Sequence, residues 1–195
     1  AVKRGDITHN PLARVEMGHE DNVRGVVISE IDFATLLAAA DEPLKPILIT
    51  AYDTGLRKAT VLSLRWSEVD LRDRCLRLRT VDSATKKRPP AIPMTSRLHA
   101  ALSALPRSTS GAVFVNPKKN RPWIQIQKMW DRARAAVGME HVWFHDLRRS
   151  FITNARRRGV QESVIMRMSG HKTRNVFERY NVVDETDLRK AVAMI

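Results

Sequence analysis

Apolar residues recur at helical spacing along most of the chain, which predicts a mainly helical protein. Ser29 and Asp32 form a capping-box pattern, so we expect a helix that runs to about Ala40. Gly55 closes an apolar helical segment, because glycine favours the left-handed backbone of a helix end. Further helices are predicted at residues 47–53, 57–64, 95–105, 123–137, 146–158, 161–168, 173–180 and 185–194.

One stretch has the two-residue period of a β-strand. Residues 75–81 alternate between apolar and basic side chains, which is typical of a half-buried strand. The predicted partner is residues 88–93, where prolines restrict the strand to an edge position, and the turn between them holds Lys86 and Lys87. Residues 117–122 are expected to form a basic loop. The predicted fold class is α+β, mainly α-helical with one small antiparallel β-sheet.

The length and the cysteine content narrow the class of protein. A chain of 195 residues suits a single domain with its own core. No apolar run approaches the roughly 18 residues of a membrane span, so we expect no membrane partner. The lone cysteine, Cys75, excludes an internal disulfide and a cysteine-rich zinc site, which makes the cytoplasm the expected compartment.

Positive charge is concentrated in the middle of the chain. The sequence holds 34 Lys and Arg against 21 Asp and Glu, a formal net charge of +13. Residues 55–180 contain 27 of the basic and 9 of the acidic side chains, whereas residues 1–54 carry a net charge of −4. Because clustered Lys and Arg favour a polyanion, we expect nucleic acid as the partner, ahead of a mixed-charge surface or a membrane surface.

Two arginines and a histidine are candidates for binding a phosphate group. His145 and Arg148 are three residues apart at a predicted helix start, so they share a face beside unpaired N–H groups that attract anions. Arg57 adds a second guanidinium, whose donor fork matches a phosphate group. The alternatives are a solvated helix face for the first pair and a salt bridge with a residue such as Asp53 for Arg57.

The last third of the chain adds His171, in a turn between two predicted helices, and Tyr180, at the end of a polar helix. Tyr180 is placed to expose its hydroxyl, and the alternative is an aromatic residue that pins the end of the chain. Tyr52 lies in an apolar run and is expected in the core. His141 and His145 are four residues apart, but no carboxylate or cysteine set completes a metal site, so no metal is expected.

Four motifs occur in order along residues 28–190. They are T-G-L-R at 54–57 with L-R-W-S-E-V-D at 64–70, Thr85-Lys86 ahead of Ile92-Pro93, H-D-L-R-R-S-F at 145–151, and Gly170-His171 leading to Arg179-Tyr180. In this order and spacing they resemble the tyrosine recombinases, the phage integrase family of DNA strand-exchange enzymes. The resemblance covers nearly the whole catalytic domain of that family and implies its fold.

The resemblance also implies a mechanism. Tyr180 takes the position of the nucleophile, which attacks a DNA phosphate and forms a covalent 3′-phosphotyrosyl bond. Arg57 and Arg148 match the pair that clamps the non-bridging oxygens. His145 matches the residue that exchanges a proton with the nucleophile, and His171 matches a position that hydrogen-bonds the phosphate. Neither a metal ion nor another cofactor is implied.

By the same resemblance, Lys86 protonates the leaving 5′-oxygen. Two positions depart from the family pattern. Thr60 stands where the family usually has Glu, so a different group is expected to orient Arg57. The segment after Lys86 is about one residue shorter than usual, which leaves Lys87 as a rival for the lysine role.

These matches predict a site-specific recombinase for integration or excision of phage or mobile-element DNA. Residues 26–195 are the expected catalytic domain, and residues 1–25 a linker or arm from absent N-terminal DNA-binding domains. The expected partners are double-stranded DNA attachment sites and other protomers in a tetrameric synapse. The alternatives are a basic DNA-binding module without catalysis and a type IB topoisomerase-like activity.

Two features near the C-terminus have more than one interpretation. The arginines at residues 156–158 are interpreted as a phosphate-facing patch, with a solvated helix end as the alternative. The last helix either docks on a neighbouring protomer, as in the family that the chain resembles, or packs on its own chain.

Overall fold

The computed structural model describes residues 4–5, 7–9, 25–79, 91–108, 110–171, 173–180 and 182–193. Most of these residues are helical or lie close to a helix. The helices are α1 (Glu30–Ala39), α2 (Lys45–Thr54), α3 (Lys58–Leu62), α4 (Ser96–Ser103), α5 (Gln127–Ala135), α6 (Phe144–Arg157), α7 (Glu162–Ser169), α8 (Arg174–Glu178) and α9 (Glu185–Val192). In this part of the chain, no helix is long and apolar enough to span a membrane. The linker predicted at residues 1–25 lies mostly outside the described residues.

A small antiparallel sheet follows α3. Its strands are β1 (Val69–Asp70), β2 (Cys75–Leu76) and β3 (Ile92–Pro93), in the order β1-β2-β3. Leu76 lies opposite Ile92, which confirms the predicted pairing, although within the described residues both strands are shorter than predicted. Lys86 and Lys87, in the segment between β2 and β3, lie outside the described residues.

The structure adds a second sheet to the predicted mainly helical α+β fold. In it, β4 (Val115–Asn116) pairs with β5 (Arg121–Pro122) across part of the segment expected to be a loop. Asn116 Oδ1 accepts hydrogen bonds from the main-chain N–H groups of Lys118, at 2.9 Å, and Lys119, at 3.3 Å. This side-chain cap closes the turn, which is why two-residue strands pair without any apolar alternation in the sequence.

The helix boundaries follow local hydrogen bonds. The capping box at Ser29 is present as predicted. The prediction that α5 begins at Trp123 was wrong, because the main-chain N–H of Trp123 donates to Phe114 O, at 3.1 Å, next to the second sheet. Helix α6 begins two residues earlier than predicted, because Asp146 Oδ2 accepts from the main-chain N–H of Trp143 at 2.8 Å and caps the first turn.

The main core is built around α2, which packs against α4 and α6 and is buried from Pro46 to Thr54. Tyr52 is buried in it, as predicted, and its ring stacks on Phe33 at 3.8 Å between centroids. A smaller core cluster joins α6, α7 and α8 through the fully buried Ile152, Ile165 and Phe177, and Tyr180 packs against its edge.

The arginines at the end of α6 bind acidic side chains of the same chain. Arg156 and Arg157 donate to Asp187 of α9, at 2.8 and 3.1 Å. Arg158 donates to Glu30 of α1 at 2.9 Å. Carboxylates of the same chain therefore bind all three guanidinium groups, which argues against a patch that faces only phosphate, and this interpretation stays a prediction. Through the same contacts, α9 packs on α6 of its own chain.

Candidate active site

The first turns of α6 present His145 and Arg148 on one face, as their spacing predicts. Arg148 is only 2% exposed. Its Nη1 donates to the main-chain carbonyls of Gly55, at 2.5 Å, and Ser169, at 2.6 Å. Because one carbonyl follows α2 and the other ends α7, the guanidinium of Arg148 joins three helices and its position is set by the fold.

Gly55 has a structural role in the T-G-L-R motif. Its φ is +64°, and a Cβ atom there would clash with Cδ1 of the Phe151 ring. Residue 55 must therefore lack a side chain for α2 to end this close to α6. Two residues later, Arg57 occupies the position before the first residue of α3. The glycine thus sets where both guanidinium groups of the site lie.

His171 binds Arg148 as a neutral imidazole. The Ser169 hydroxyl donates its one proton to Ile165 O at 2.7 Å, so it accepts from His171 Nδ1 at 2.8 Å. His171 Nε2 is then unprotonated and accepts from Nη2 of Arg148 at 2.8 Å. Burial and then the charges of Arg148 and Arg57 lower the pKa of His171 to about 4. The imidazole is therefore uncharged at neutral pH.

Tyr180 lies beside His145, with Tyr180 Oη 2.9 Å from His145 Nε2. Partial burial, followed by the charges of Arg148 and Arg149, lowers the pKa of His145 below its ordinary value of 6.5. The imidazole is therefore uncharged at neutral pH. In the tautomer with its proton on Nδ1, Nε2 of His145 accepts the phenolic proton of Tyr180. The pair has the geometry that removal of a proton from a tyrosine nucleophile requires.

Arg57 supplies a second positive charge. It is exposed, and no ion-pair partner for it occurs within the described part of the chain. Asp53, the alternative partner considered from the sequence, binds Arg97 and Thr95 instead. Burial and then the charge of Arg57 lower the pKa of Arg148 to about 10, so Arg148 stays protonated at neutral pH. Two guanidinium charges with no paired carboxylate form a binding site for an anion.

Two further side chains of the site were not singled out from the sequence. Ser169 orients His171, and Arg149 reaches the main chain next to Tyr180 by donating Nη1 to Arg179 O at 3.1 Å. The guanidinium carbon of Arg149 lies 5.6 Å from the Tyr180 ring centroid. In the sequence, only their nearness to His171 and Arg148 pointed to Ser169 and Arg149. Nearness in sequence does not predict contacts between distant segments.

The structure brings five of the six predicted site residues together. They are Arg57, His145, Arg148, His171 and Tyr180. The sixth, Lys86, and its rival Lys87 lie outside the described residues, and the catalytic roles of all six stay predictions. Among the residues that the structure describes, no three His, Cys, Asp or Glu side chains are grouped as a metal ion would need.

A family model and several known proteins match the sequence of the chain. A family model described as "Phage integrase family" matches residues 27–187. Prophage integrase IntF of Escherichia coli strain K12 is 31% identical over 133 residues, 65% of this chain and 28% of that protein. Tyrosine recombinase XerD of Neisseria meningitidis is 27% identical over 206 residues, 97% of this chain and 69% of that protein. The chain spans 32% of a shufflon-specific DNA recombinase of Escherichia coli, so it matches only part of some relatives.

Solved structures share the fold. The crystal structure of XerA recombinase matches with a TM-score of 0.74 at 22% identity, over 87% of this chain and 65% of that chain. A lambda integrase dimer bound to a COC′ core site matches with a TM-score of 0.69 at 18% identity, over 93% of this chain and 54% of that chain. At these identities the similarity establishes the fold alone.

Proposed function

The chain belongs to the phage integrase family, and on this basis we propose that it is the catalytic part of a site-specific DNA recombinase. The proposed reaction cleaves and rejoins DNA through a covalent 3′-phosphotyrosyl intermediate, for integration or excision of phage or mobile-element DNA. The observation that carries the proposal is the 2.9 Å contact of Tyr180 Oη with His145 Nε2, beside the guanidinium of Arg148. A tyrosine that only pinned the end of the chain would need no proton acceptor.

The proposed cleavage is a transesterification. Tyr180 Oη attacks the scissile phosphorus while His145 Nε2 takes its proton. A bond forms between Tyr180 Oη and phosphorus, and the bond between phosphorus and the 5′-oxygen of the next nucleotide breaks. Lys86 gives that oxygen a proton, with Lys87 as its rival. In the second step, a 5′-hydroxyl of the partner strand attacks the phosphotyrosine and gives its proton to the lysine that lost one in the first step. The bond between Tyr180 Oη and phosphorus breaks, and Tyr180 regains its proton from His145.

The two guanidinium groups stabilise the phosphate during this exchange. Negative charge builds up on the non-bridging oxygens as the fifth bond to phosphorus forms, and fixed positive charge lowers the barrier without reorganisation. The Nε of Arg148 is buried and has no hydrogen-bond partner within the described residues, so Arg148 retains a donor for an oxyanion. Neutral His171 orients Arg148, and its own hydrogen bond to the phosphate would require a proton on Nε2.

Double-stranded DNA attachment sites are the proposed substrate, and further protomers in a tetrameric synapse are the proposed partners. The lambda integrase neighbour is a dimer bound to a core site, and the XerH neighbour is bound to a difH substrate. The net charge of +13 supports a DNA partner. We also propose residues 26–195 as the catalytic domain, residues 1–25 as an arm from a DNA-binding region, and the cytoplasm as the compartment.

Trapping of the covalent adduct tests the proposed chemistry. The protein is mixed, without added metal, with nicked duplexes that carry randomised sequence beside the nick. Loss of the short cleaved end prevents religation, so an adduct accumulates and is seen on a denaturing gel. Tyr180→Phe removes one hydroxyl and is expected to abolish the adduct. Tyr52→Phe is the matched control, because its hydroxyl binds Ile28 O in the core, and it is expected to retain the adduct.

Other outcomes would point to the alternative functions. DNA binding without any adduct in the wild type would leave a basic DNA-binding module. An adduct that persists in Tyr180→Phe would mean that another residue is the nucleophile. Relaxation of supercoiled DNA without recombinant products would favour a type IB topoisomerase-like activity.

A further inference from the structure

One face of α6 binds the main chain of the segment that carries Tyr180. Positions four and seven residues after Arg149 lie on the same helix face, which therefore presents Arg149, Thr153 and Arg156 together. Each of these side chains donates a hydrogen bond to a different main-chain carbonyl. The bonds are Arg149 Nη1 to Arg179 O at 3.1 Å, Thr153 Oγ1 to Tyr180 O at 3.1 Å, and Arg156 Nη2 to Val182 O at 2.9 Å.

Thr153 is the central contact of this set. Its side chain is fully buried, and its hydroxyl also accepts from the main-chain N–H of Val182 at 3.4 Å. Because α8 ends at Glu178, Tyr180 lies beyond the last helical residue, where a helix no longer supplies partners for the carbonyl groups. The side chains of α6 supply those partners and thereby define where the main chain at Tyr180 lies.

We propose that Thr153 and Arg149 are positioning residues that set the distance of the Tyr180 hydroxyl from the phosphate site. This inference rests on the proposed nucleophilic role of Tyr180. Displacement of a reacting group by about 1 Å lowers a rate by about 10²-fold, so the anchoring of the main chain at residue 180 matters for the chemistry. His145 contacts the ring and the hydroxyl of Tyr180, and α6 thus holds both the main chain and the side chain of the proposed nucleophile.

Arg149 acts in the same way but has a second effect. It is 6% exposed, lies 3.8 Å from Asp146 and places a positive charge near the Tyr180 ring. Replacement of Arg149 would therefore change both the position of Tyr180 and the electrostatic field of the site. Thr153 is uncharged, so replacing it separates positioning from electrostatics and gives the cleaner test.

The test compares three substitutions in the protein. Thr153→Val keeps the shape and loses the hydroxyl, and Thr153→Ser keeps the hydroxyl. Thr50→Val is the matched control, since Thr50 is equally buried but donates to Pro46 O within its own helix. With nicked duplex at saturation, we expect cleavage to slow by about 10-fold or more in Thr153→Val, to stay near wild type in the other two, and DNA affinity to be unchanged.

A second readout needs no DNA. The chain has two tyrosines, so 3-fluorotyrosine incorporation gives two fluorine resonances from it, assigned with Tyr52→Phe and Tyr180→Phe. We expect Thr153→Val to shift the resonance of Tyr180 and to leave that of Tyr52 in place, and Thr153→Ser to restore it. An unshifted Tyr180 resonance together with a wild-type cleavage rate would overturn the positioning role. A wild type that forms no adduct, with a shifted Tyr180 resonance, would instead overturn the proposed recombinase chemistry.

Discussion

Arg148 and Tyr180 are neighbours that different parts of the molecule hold in place. The guanidinium carbon of Arg148 lies 5.4 Å from the Tyr180 ring centroid. Arg148 is fixed by buried carbonyls at the ends of α2 and α7, next to the main core. Tyr180 follows the five-residue helix α8 and packs on a cluster with only three fully buried apolar residues.

The region around Arg148, the proposed phosphate site, rests on a large core, whereas the region around Tyr180, the proposed nucleophile, is held mainly by polar contacts. Buried apolar area stabilises a fold by about 25 cal/mol per Å², so displacing Arg148 disturbs far more of the protein than displacing Tyr180. A single hydrogen bond contributes only about 1 kcal/mol net. The proposed phosphate site is thus preorganised by the main core, whereas the proposed nucleophile depends on a small number of hydrogen bonds from α6 for its position.

The largest expected effect comes from Arg148→Lys, which tests the preorganised side. Lysine keeps the charge but cannot bind both carbonyls and a phosphate in a fixed fork, so we expect the cleavage rate at saturating DNA to fall by about 10²–10³-fold. Arg97→Lys is the control, because Arg97 pairs with Asp53 and lies outside the proposed catalytic set. Equal losses of rate in single-turnover assays of the two variants would contradict a special role for Arg148.

Gly55→Ala tests how tightly the same region is packed. The left-handed backbone and the clash with the Phe151 ring should together lower the free energy of unfolding by about 3 kcal/mol. Gly138→Ala is the matched control, because Gly138 has a similar left-handed backbone, with φ +68°, but a Cβ atom there meets nothing within 4 Å. We expect this substitution to lower the free energy of unfolding by about 1 kcal/mol. Urea unfolding measures both values, and similar values would show that close packing at Gly55 is not the cause.

The pH dependence of stability tests the buried contact of His171 with Arg148. Because the pKa of about 4 in the folded protein lies below the ordinary 6.5, the unfolded chain binds the proton more readily. Neutral His171 contributes roughly 2–3 kcal/mol to the free energy of unfolding. This contribution is complete above about pH 6.5 and is lost as the pH falls towards 4. Urea unfolding across this range should show a shallower pH dependence in His171→Gln, and parallel curves would contradict the assignment.

The smallest expected effect concerns the C-terminal region. Asp187→Asn weakens the ion pairs with Arg156 and Arg157, and we expect local opening of α9 to become easier by about 1 kcal/mol. Hydrogen exchange of the α9 amides measures this change. Glu185→Gln should leave exchange unaltered, because its pair with Arg189 is almost fully exposed. Unchanged protection in Asp187→Asn would show that these ion pairs do not hold α9.

Features that depend on local sequence could be predicted. The capping box at Ser29 and the end of α2 at Gly55 agree with the structure, since nearby residues decide both. The start of α5 could not be predicted, because the N–H of Trp123 binds a carbonyl nine residues earlier in the chain. The second sheet was missed for a similar reason, since one asparagine side chain closes its turn.

The geometry of the candidate site also could not be predicted from local sequence. Motif order singled out Arg57, His145, Arg148, His171 and Tyr180, but their distances depend on how α2, α6 and α7 meet. The polar anchors of Tyr180 on α6 carry no motif of their own. The ion pairs of the arginines at residues 156–158 could not be predicted, because the acidic side chains that bind them belong to helices elsewhere in the chain.

Identification of the covalent linkage tests the central claim most directly. The trapped adduct is digested with protease and nuclease, and mass spectrometry locates the modified residue and the DNA end. We predict that Tyr180 alone is joined to DNA, through the 3′-phosphate of the cleaved strand, and that the released strand ends in a free 5′-hydroxyl. Attachment through any other residue, or to a 5′-phosphate, would contradict the mechanism.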